Sequence, residues 1–169
     1  MRLLASTDIA LRVLILLGRE PVGRHLSVEA LAAALGGLSR HHLHKIVQDL
    51  TAAGVTRTVR GAGGGVMLAV PPGQVRLGGL IRRLEGDQPL VECFRASGCG
   101  CTLLPDCHLR SLLGGGRERF YGFLDEATLA DCLGDAAAQP AGPSRKGRPK
   151  LPGGQELPSV SPGDRSPER

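Results

Sequence analysis

The sequence predicts a mainly α fold with a small β-hairpin wing, a winged helix-turn-helix at its N-terminal end. Three observations predict it: two helical stretches that each begin at a serine, a Gly36-Gly37 turn between them, and two β-rich runs joined by a glycine cluster directly after the second stretch.

The chain opens MRLLASTDIALRVLILLGRE, an early arginine followed by apolar residues, as in a signal peptide. Asp8 and Arg12 interrupt the run and no small-residue cleavage site follows, so an amphipathic helix is the better reading. Ser6-Thr7-Asp8 is expected to cap it, Ile9 to Leu17 to form it and Gly18 to stop it. No stretch approaches the ~18 consecutive apolar residues of a membrane span. A cytoplasmic protein with reduced thiols is expected, and five cysteines, an odd number, argue against a disulfide framework.

In the next segment, LSVEALAAALGGLSRHHLHKIVQDLTAAG, Ser27 is a candidate N-cap with Glu29 in the first turn, and Leu26 and Leu31 occupy the positions of a hydrophobic staple. Ser39 repeats the cap, with Leu38 facing Leu43. In the second helix Leu43, Ile46, Val47 and Leu50 follow the i, i+3, i+4, i+7 spacing that buries one face. The other face carries Arg40, His41, His42, His44, Lys45 and Gln48. Alone, such a face is most simply a solvated one. After paired caps and a glycine turn, and before a hairpin, its donors lie where a recognition helix reaches base edges in a major groove.

The hairpin is read from VTRTVRGAGGGVMLAV, with strands at Val55 to Arg60 and Val66 to Val70. Ser39 at the start of the recognition helix, and Arg57, Arg60 and Gly61 in the wing, complete the expected DNA-contacting set. A phosphate-binding loop is the competing reading of GAGGG. Glycines between two strands are the wrong context for it, and the G-x-G-x-x-G spacing fails at Val66.

Composition agrees with a duplex as partner. The net charge is +5, and aromatic content is only 2%, too little for the stacking platforms of single-strand binders. No Ser/His/Asp arrangement, paired carboxylates or nucleotide loop emerges, so an enzyme is not expected. From Gly134 the chain turns to Pro, Gly, Ser and charge without apolar period, which predicts a disordered tail over 134–169.

CFRASGCGCTLLPDC, Cys93 to Cys107, holds four of the five cysteines. Five residues separate Cys93 from Cys99, one separates Cys99 from Cys101, and five separate Cys101 from Cys107. None of these is the usual zinc or ferredoxin spacing, yet thiols at such density in a reducing compartment favour iron-sulfur, zinc or copper(I), with a reactive-thiol switch as the alternative. Cys132, remote from the group, reads as a small core residue.

Seven motifs occur in order: MRL at the start; Thr7-Asp8-x-Ala10-Leu11-Arg12-Val13-Leu14; Ser39-Arg40-His41-His42-Leu43; Val59-Arg60-Gly61-x-Gly63-Gly64-Gly65; Leu90-Val91-Glu92-Cys93-Phe94; Cys101-x5-Cys107-x-Leu109-Arg110; and Thr128-Leu129-Ala130-Asp131. Over residues 1–133 the chain thereby resembles the winged-helix iron-sulfur repressors. The resemblance implies a homodimer that binds a double-stranded DNA operator through a winged helix-turn-helix (1–72), followed by a cluster-binding loop and a long C-terminal dimerisation helix (73–133). It also implies a 4Fe-4S or 2Fe-2S cluster held by three cysteines, here Cys93, Cys101 and Cys107, with Cys99 as the alternate middle ligand.

The fourth ligand separates the branches. The nitric-oxide-sensing branch uses an aspartate from the other subunit's first helix, a position matched by Asp8. The cluster-assembly branch uses a histidine three residues past the last cysteine, where this chain has Arg110. The implied function is repression of nitric oxide detoxification genes until nitric oxide arrives. A sensor of iron or redox status on the same fold, and a zinc- or thiol-based regulator, are the alternatives. Without the resemblance, Asp8 is a helix-capping residue paired with Arg12 at i+4. Gly114-Gly115-Gly116 is expected to interrupt the dimerisation helix, at ~3 kcal/mol relative to alanines, although Leu109, Leu112, Leu113, Phe120, Phe123 and Leu124 keep a helical period across it.

Overall fold

The computed structural model describes residues 2–134, apart from positions 62, 87, 96 and 105. The first helix, α1, spans Ala5–Arg19 and turns Thr7, Ala10, Val13, Leu14 and Leu17 inward. It starts earlier than the expected cap. Leu4 is the N-cap without a capping side chain, and Ser6, Thr7 and Asp8 lie inside the first turns. Their job is done from elsewhere in the chain, because the Leu4 amide donates to Glu85 Oε1 at 3.0 Å. Gly18 does not stop the helix either. It sits under Leu133, whose Cδ1 would be 2.9 Å from a Cβ at this position, so the absent side chain permits close packing.

Helices α2 (Val28–Ala34) and α3 (Arg40–Ala52) begin where the serines predict. Ser27 Oγ accepts from the Ala30 amide at 3.1 Å and Ser39 Oγ from the His42 amide at 3.2 Å, each satisfying an otherwise unpaired helix-start donor. Between them Gly36 and Gly37 have φ of +83° and +79°, backbone that a Cβ strongly disfavours. Leu43, Ile46, Val47 and Leu50 of α3 are buried with the inward face of α1 and with Leu31 of α2 in one core.

Strands β1 (Thr56–Val59) and β2 (Gly65–Leu68) form the antiparallel wing, with Thr56 opposite Leu68 and Val59 opposite Gly65. The strands are shorter than the β-rich runs because pairing ends at the glycine loop and at the turn into Pro71. Leu26 adds a single antiparallel bridge to β2. Its amide donates to Val66 O at 2.9 Å and its carbonyl accepts from the Val66 amide at 2.8 Å. A Cβ at Gly65 would run into that Leu26 carbonyl, which explains one glycine of the cluster.

A 3-10 turn at Pro72–Gln74 leads to α4 (Leu77–Glu85), and a second at Glu92–Phe94 opens the cysteine segment. The long helix α5 follows at His108–Asp125 and the short α6 at Leu129–Leu133, the latter started by a Thr128/Asp131 capping box. Contrary to expectation, α5 runs unbroken through Gly114-Gly115-Gly116. Glycine weakens a helix without forbidding it, and tertiary packing supplies what propensity lacks. Tyr121 buries its ring with Leu77 and Ile81 of α4, Arg82 donates to Asp125 at 2.6 Å, and the Arg82 guanidinium lies 4.6 Å from the Tyr121 centroid.

Cys132 is a further correction. It lies exposed on α6 rather than in the core, because Leu129 and Leu133 take the buried side of that helix. The tail expected to be disordered lies, beyond Gly134, outside the described residues. Among the described residues no helix is long and apolar enough to cross a membrane.

Candidate DNA interface and thiol loop

Burial of the apolar side of α3 leaves Arg40, His41, His44, Lys45 and Gln48 exposed on its outer side, with Ser39 exposed at its start and His42 half-buried. These residues form one continuous donor-rich face beginning at a helix N-terminus. Arg40 is steered by Glu29 of α2, with Nη1 and Oε1 3.3 Å apart. The Glu29 carboxyl is held below its usual range by a backbone hydrogen bond at the helix start, then by Ser27 and Arg40. In the wing, Arg57 and Arg60 are exposed on β1 and just beyond it, and Gly61, at φ +108°, begins the loop.

Sequence reasoning missed His25. Its Nε2 lies 2.7 Å from Gly63 O. A carbonyl only accepts, so that nitrogen carries the proton and ties the loop before α2 to the wing tip. The contact joins residues 38 positions apart, and no local pattern announces it.

The cysteines occupy the segment between α4 and α5. Cys93 lies in the 3-10 turn, Cys107 is the N-cap of α5, and Cys99 and Cys101 fall between them. All are free thiols; Cys93, Cys99 and Cys107 are half-buried and Cys101 is exposed. Burial therefore groups Cys99 with the outer pair, whereas motif matching selects Cys101. The ring of Phe94, next to Cys93, lies beside α5, with the guanidinium groups of Arg110 and Arg117 at 5.9 and 6.0 Å from its centroid. Arg110 has no lone pair to give a metal, and here it packs on an aromatic face.

Asp8 forms the local pair expected of it without a metal. Its carboxylate meets Arg12 at 2.8 Å through Nη2 and accepts from Nε at 3.2 Å. Both side chains are more than half exposed, so the pair is worth only a few tenths of a kcal/mol, about 0.3–0.5, and Asp8 is free to be drawn to a better partner. Four soft thiols within fifteen residues of sequence are donors of the type that suits an iron-sulfur cluster. Among the described residues of this single chain, no three His, Cys, Asp or Glu side chains converge as a metal site.

Cys132 stands apart chemically as well as in place. Partial burial, and then the Asp131 carboxylate beside it, push its thiol above the usual range, and its sulfur lies 3.9 Å from Thr128 O. A raised value leaves Cys132 mostly as thiol at neutral pH. Its iodoacetamide labelling, followed by peptide mass spectrometry, should climb with pH only in a range more alkaline than that of an ordinary cysteine.

The Rrf2 profile, described as an iron-dependent transcriptional regulator, matches residues 3–135. An HTH-type transcriptional regulator NsrR from Geobacillus kaustophilus is 42% identical over 138 residues, covering 82% of this chain and 93% of the relative. Among solved structures, T. potens IscR superposes with a TM-score of 0.62 at 26% identity, covering 85% of this chain and 94% of that one. Staphylococcus aureus CymR does so with a TM-score of 0.61 at 27% identity, covering 78% and 97%. Family match, high coverage and winged-helix architecture agree: the chain belongs to the Rrf2 family of transcriptional regulators.

Proposed function

We propose that this regulator is a homodimeric repressor that binds a pseudo-palindromic operator and responds to nitric oxide through an iron-sulfur cluster, derepressing nitric oxide detoxification genes. The observation that carries the reading is the thiol-rich segment joined directly to α5 in a chain 42% identical to an NsrR regulator. Cys93 and Cys107 would hold the cluster with Cys101 or Cys99, and Asp8 of the second copy would complete the set. When bound, such a cluster supplies iron whose ligands nitric oxide displaces.

The remaining steps belong to the chain's own residues. With a cluster bound, Asp8 would give up Arg12 to serve as a ligand at the second copy's thiol segment, which would tie the first helix of one reading head to the other subunit. When that tie opens, Asp8 returns to Arg12 and the spacing of the two α3 helices is no longer fixed. Operator affinity falls because both half-sites cannot be engaged at once.

Ser39, Arg40, His41, His42, His44 and Lys45 are assigned to the major groove, and Arg57, Arg60 and Gly61 to phosphate or minor groove. Arg60→Ala should weaken binding to all DNA sequences alike and reduce the slope of log affinity against log salt by about one unit.

The deciding experiment is anaerobic purification with visible absorption and iron and sulfide analysis, then nitric oxide titration with operator binding followed in parallel. A brown protein that bleaches and releases DNA supports the proposal. A colourless protein holding zinc, or free thiols only, replaces it with a zinc- or thiol-based regulator. A brown protein indifferent to nitric oxide but sensitive to oxygen or chelator makes it a sensor of redox or iron status.

A further inference from the structure

Between α1 and α3 lies a small cleft of about 20 Å³ lined by Ser6, Thr7, Ala10, Ile46, Asp49 and Leu84. Thr7 is 1% exposed, and its buried hydroxyl oxygen has no hydrogen-bond partner among the described residues of the chain. A buried hydroxyl left unpaired costs about 1–3 kcal/mol. The helix offers a simple remedy, valine, which has the same shape and no hydroxyl, yet the residue is threonine. We infer that the cleft holds one bound water, which bonds the Thr7 hydroxyl and bridges to the Asp49 carboxylate, with Ser6 as a further partner.

Size and chemistry both agree. A site needs roughly 10–15 Å³ of this kind of volume to hold a water, and two to four polar groups to keep it. The cleft exceeds the first figure by little, so it takes one water and no larger ligand. Its polar residues come from two helices: half-buried Ser6 and buried Thr7 from α1, and the solvent-exposed Asp49 from α3. Ala10, Ile46 and Leu84 form apolar walls and give the water no competing partner. The water thus becomes a polar rivet in an otherwise apolar contact, joining the recognition helix to α1 one residue from Asp8. The hydration site stands whether or not the proposed sensing chemistry does.

Thr7→Val tests it by the sign of its effect. If the cleft is dry, replacing an orphan hydroxyl by methyl raises the melting temperature. If the water is there, the change removes one of its anchors and lowers the melting temperature by about 2–4 °C. A double-mutant cycle with Asp49→Ala, in the full chain, then asks whether the two residues share the water. Less-than-additive losses for Thr7→Val with Asp49→Ala support the bridge, and a Thr7→Ser background should retain the loss on removing Asp49. An unchanged or higher melting temperature for Thr7→Val, or strictly additive losses, overturns it.

Discussion

Replacing Cys107 by alanine should leave the protein colourless after anaerobic purification, with no bound iron or sulfide, and should remove operator binding that depends on the cluster. The effect is expected to be all-or-none. In the proposed set of three thiolates and one exchangeable carboxylate, losing a thiolate would release the cluster; Cys107 is the N-cap of α5, with His108 already inside the helix. Cys93→Ala should behave the same way. Cys99→Ala and Cys101→Ala should differ from each other, because one is spare. The motif match to the family favours Cys101 as the ligand, whereas its exposure beside the half-buried Cys99 favours the reverse. Visible absorption of the four single variants decides it, and a brown Cys107→Ala protein would sink the ligand assignment.

The second large effect is on stability. Leu43→Ala removes a side chain with no solvent exposure from the first turn of α3, where it meets the core shared by α1, α2 and the wing. Emptying such a site costs about 2–5 kcal/mol, a large part of the ~5–15 kcal/mol that holds a typical domain. In urea the unfolding midpoint should drop sharply with the slope little changed. Operator binding should fail at temperatures where the wild-type chain still binds, since the recognition helix loses the anchor behind its first contacts.

Much of this architecture was legible because it is written locally. Ser27, Ser39 and the Gly36-Gly37 turn fix two helix starts and the bend between them within a few residues. The period of Leu43, Ile46, Val47 and Leu50 fixes which side of α3 faces outward. What was not legible depends on distant partners. Ser6-Thr7-Asp8 has the composition of a cap, but Glu85, 81 positions from Leu4, makes the bond at the start of α1. Gly18 reads as a stop until Leu133 is seen above it. Gly114-Gly115-Gly116 reads as a break because propensity counts only the helix itself, and the packing of Tyr121 and Asp125 on α4 outweighs it. At the candidate site, residue types were legible and arrangement was not. Four cysteines announce soft-ligand chemistry, but their unequal burial and the Phe94 contact with α5 are properties of the folded chain.

The attachment of α5 has a mechanical consequence. Its buried side chain is Tyr121, near the C-terminal end, where Arg82, Leu77 and Ile81 grip it, while the cysteine-bearing end projects from that grip. From His108 to Tyr121 is about 20 Å of helix at 1.5 Å per residue. A push at Cys107 in the proposed regulator would therefore act on Tyr121 as on the fulcrum of a lever. Three successive glycines in the middle of the arm lower its helix propensity, so such a push would bend the arm before it turned the fulcrum. Leu109 and Leu112 are exposed along the arm and Phe123 just past the fulcrum, and in the proposed dimer a second copy laid against them would act as a splint. A single subunit would absorb the movement that a braced pair transmits.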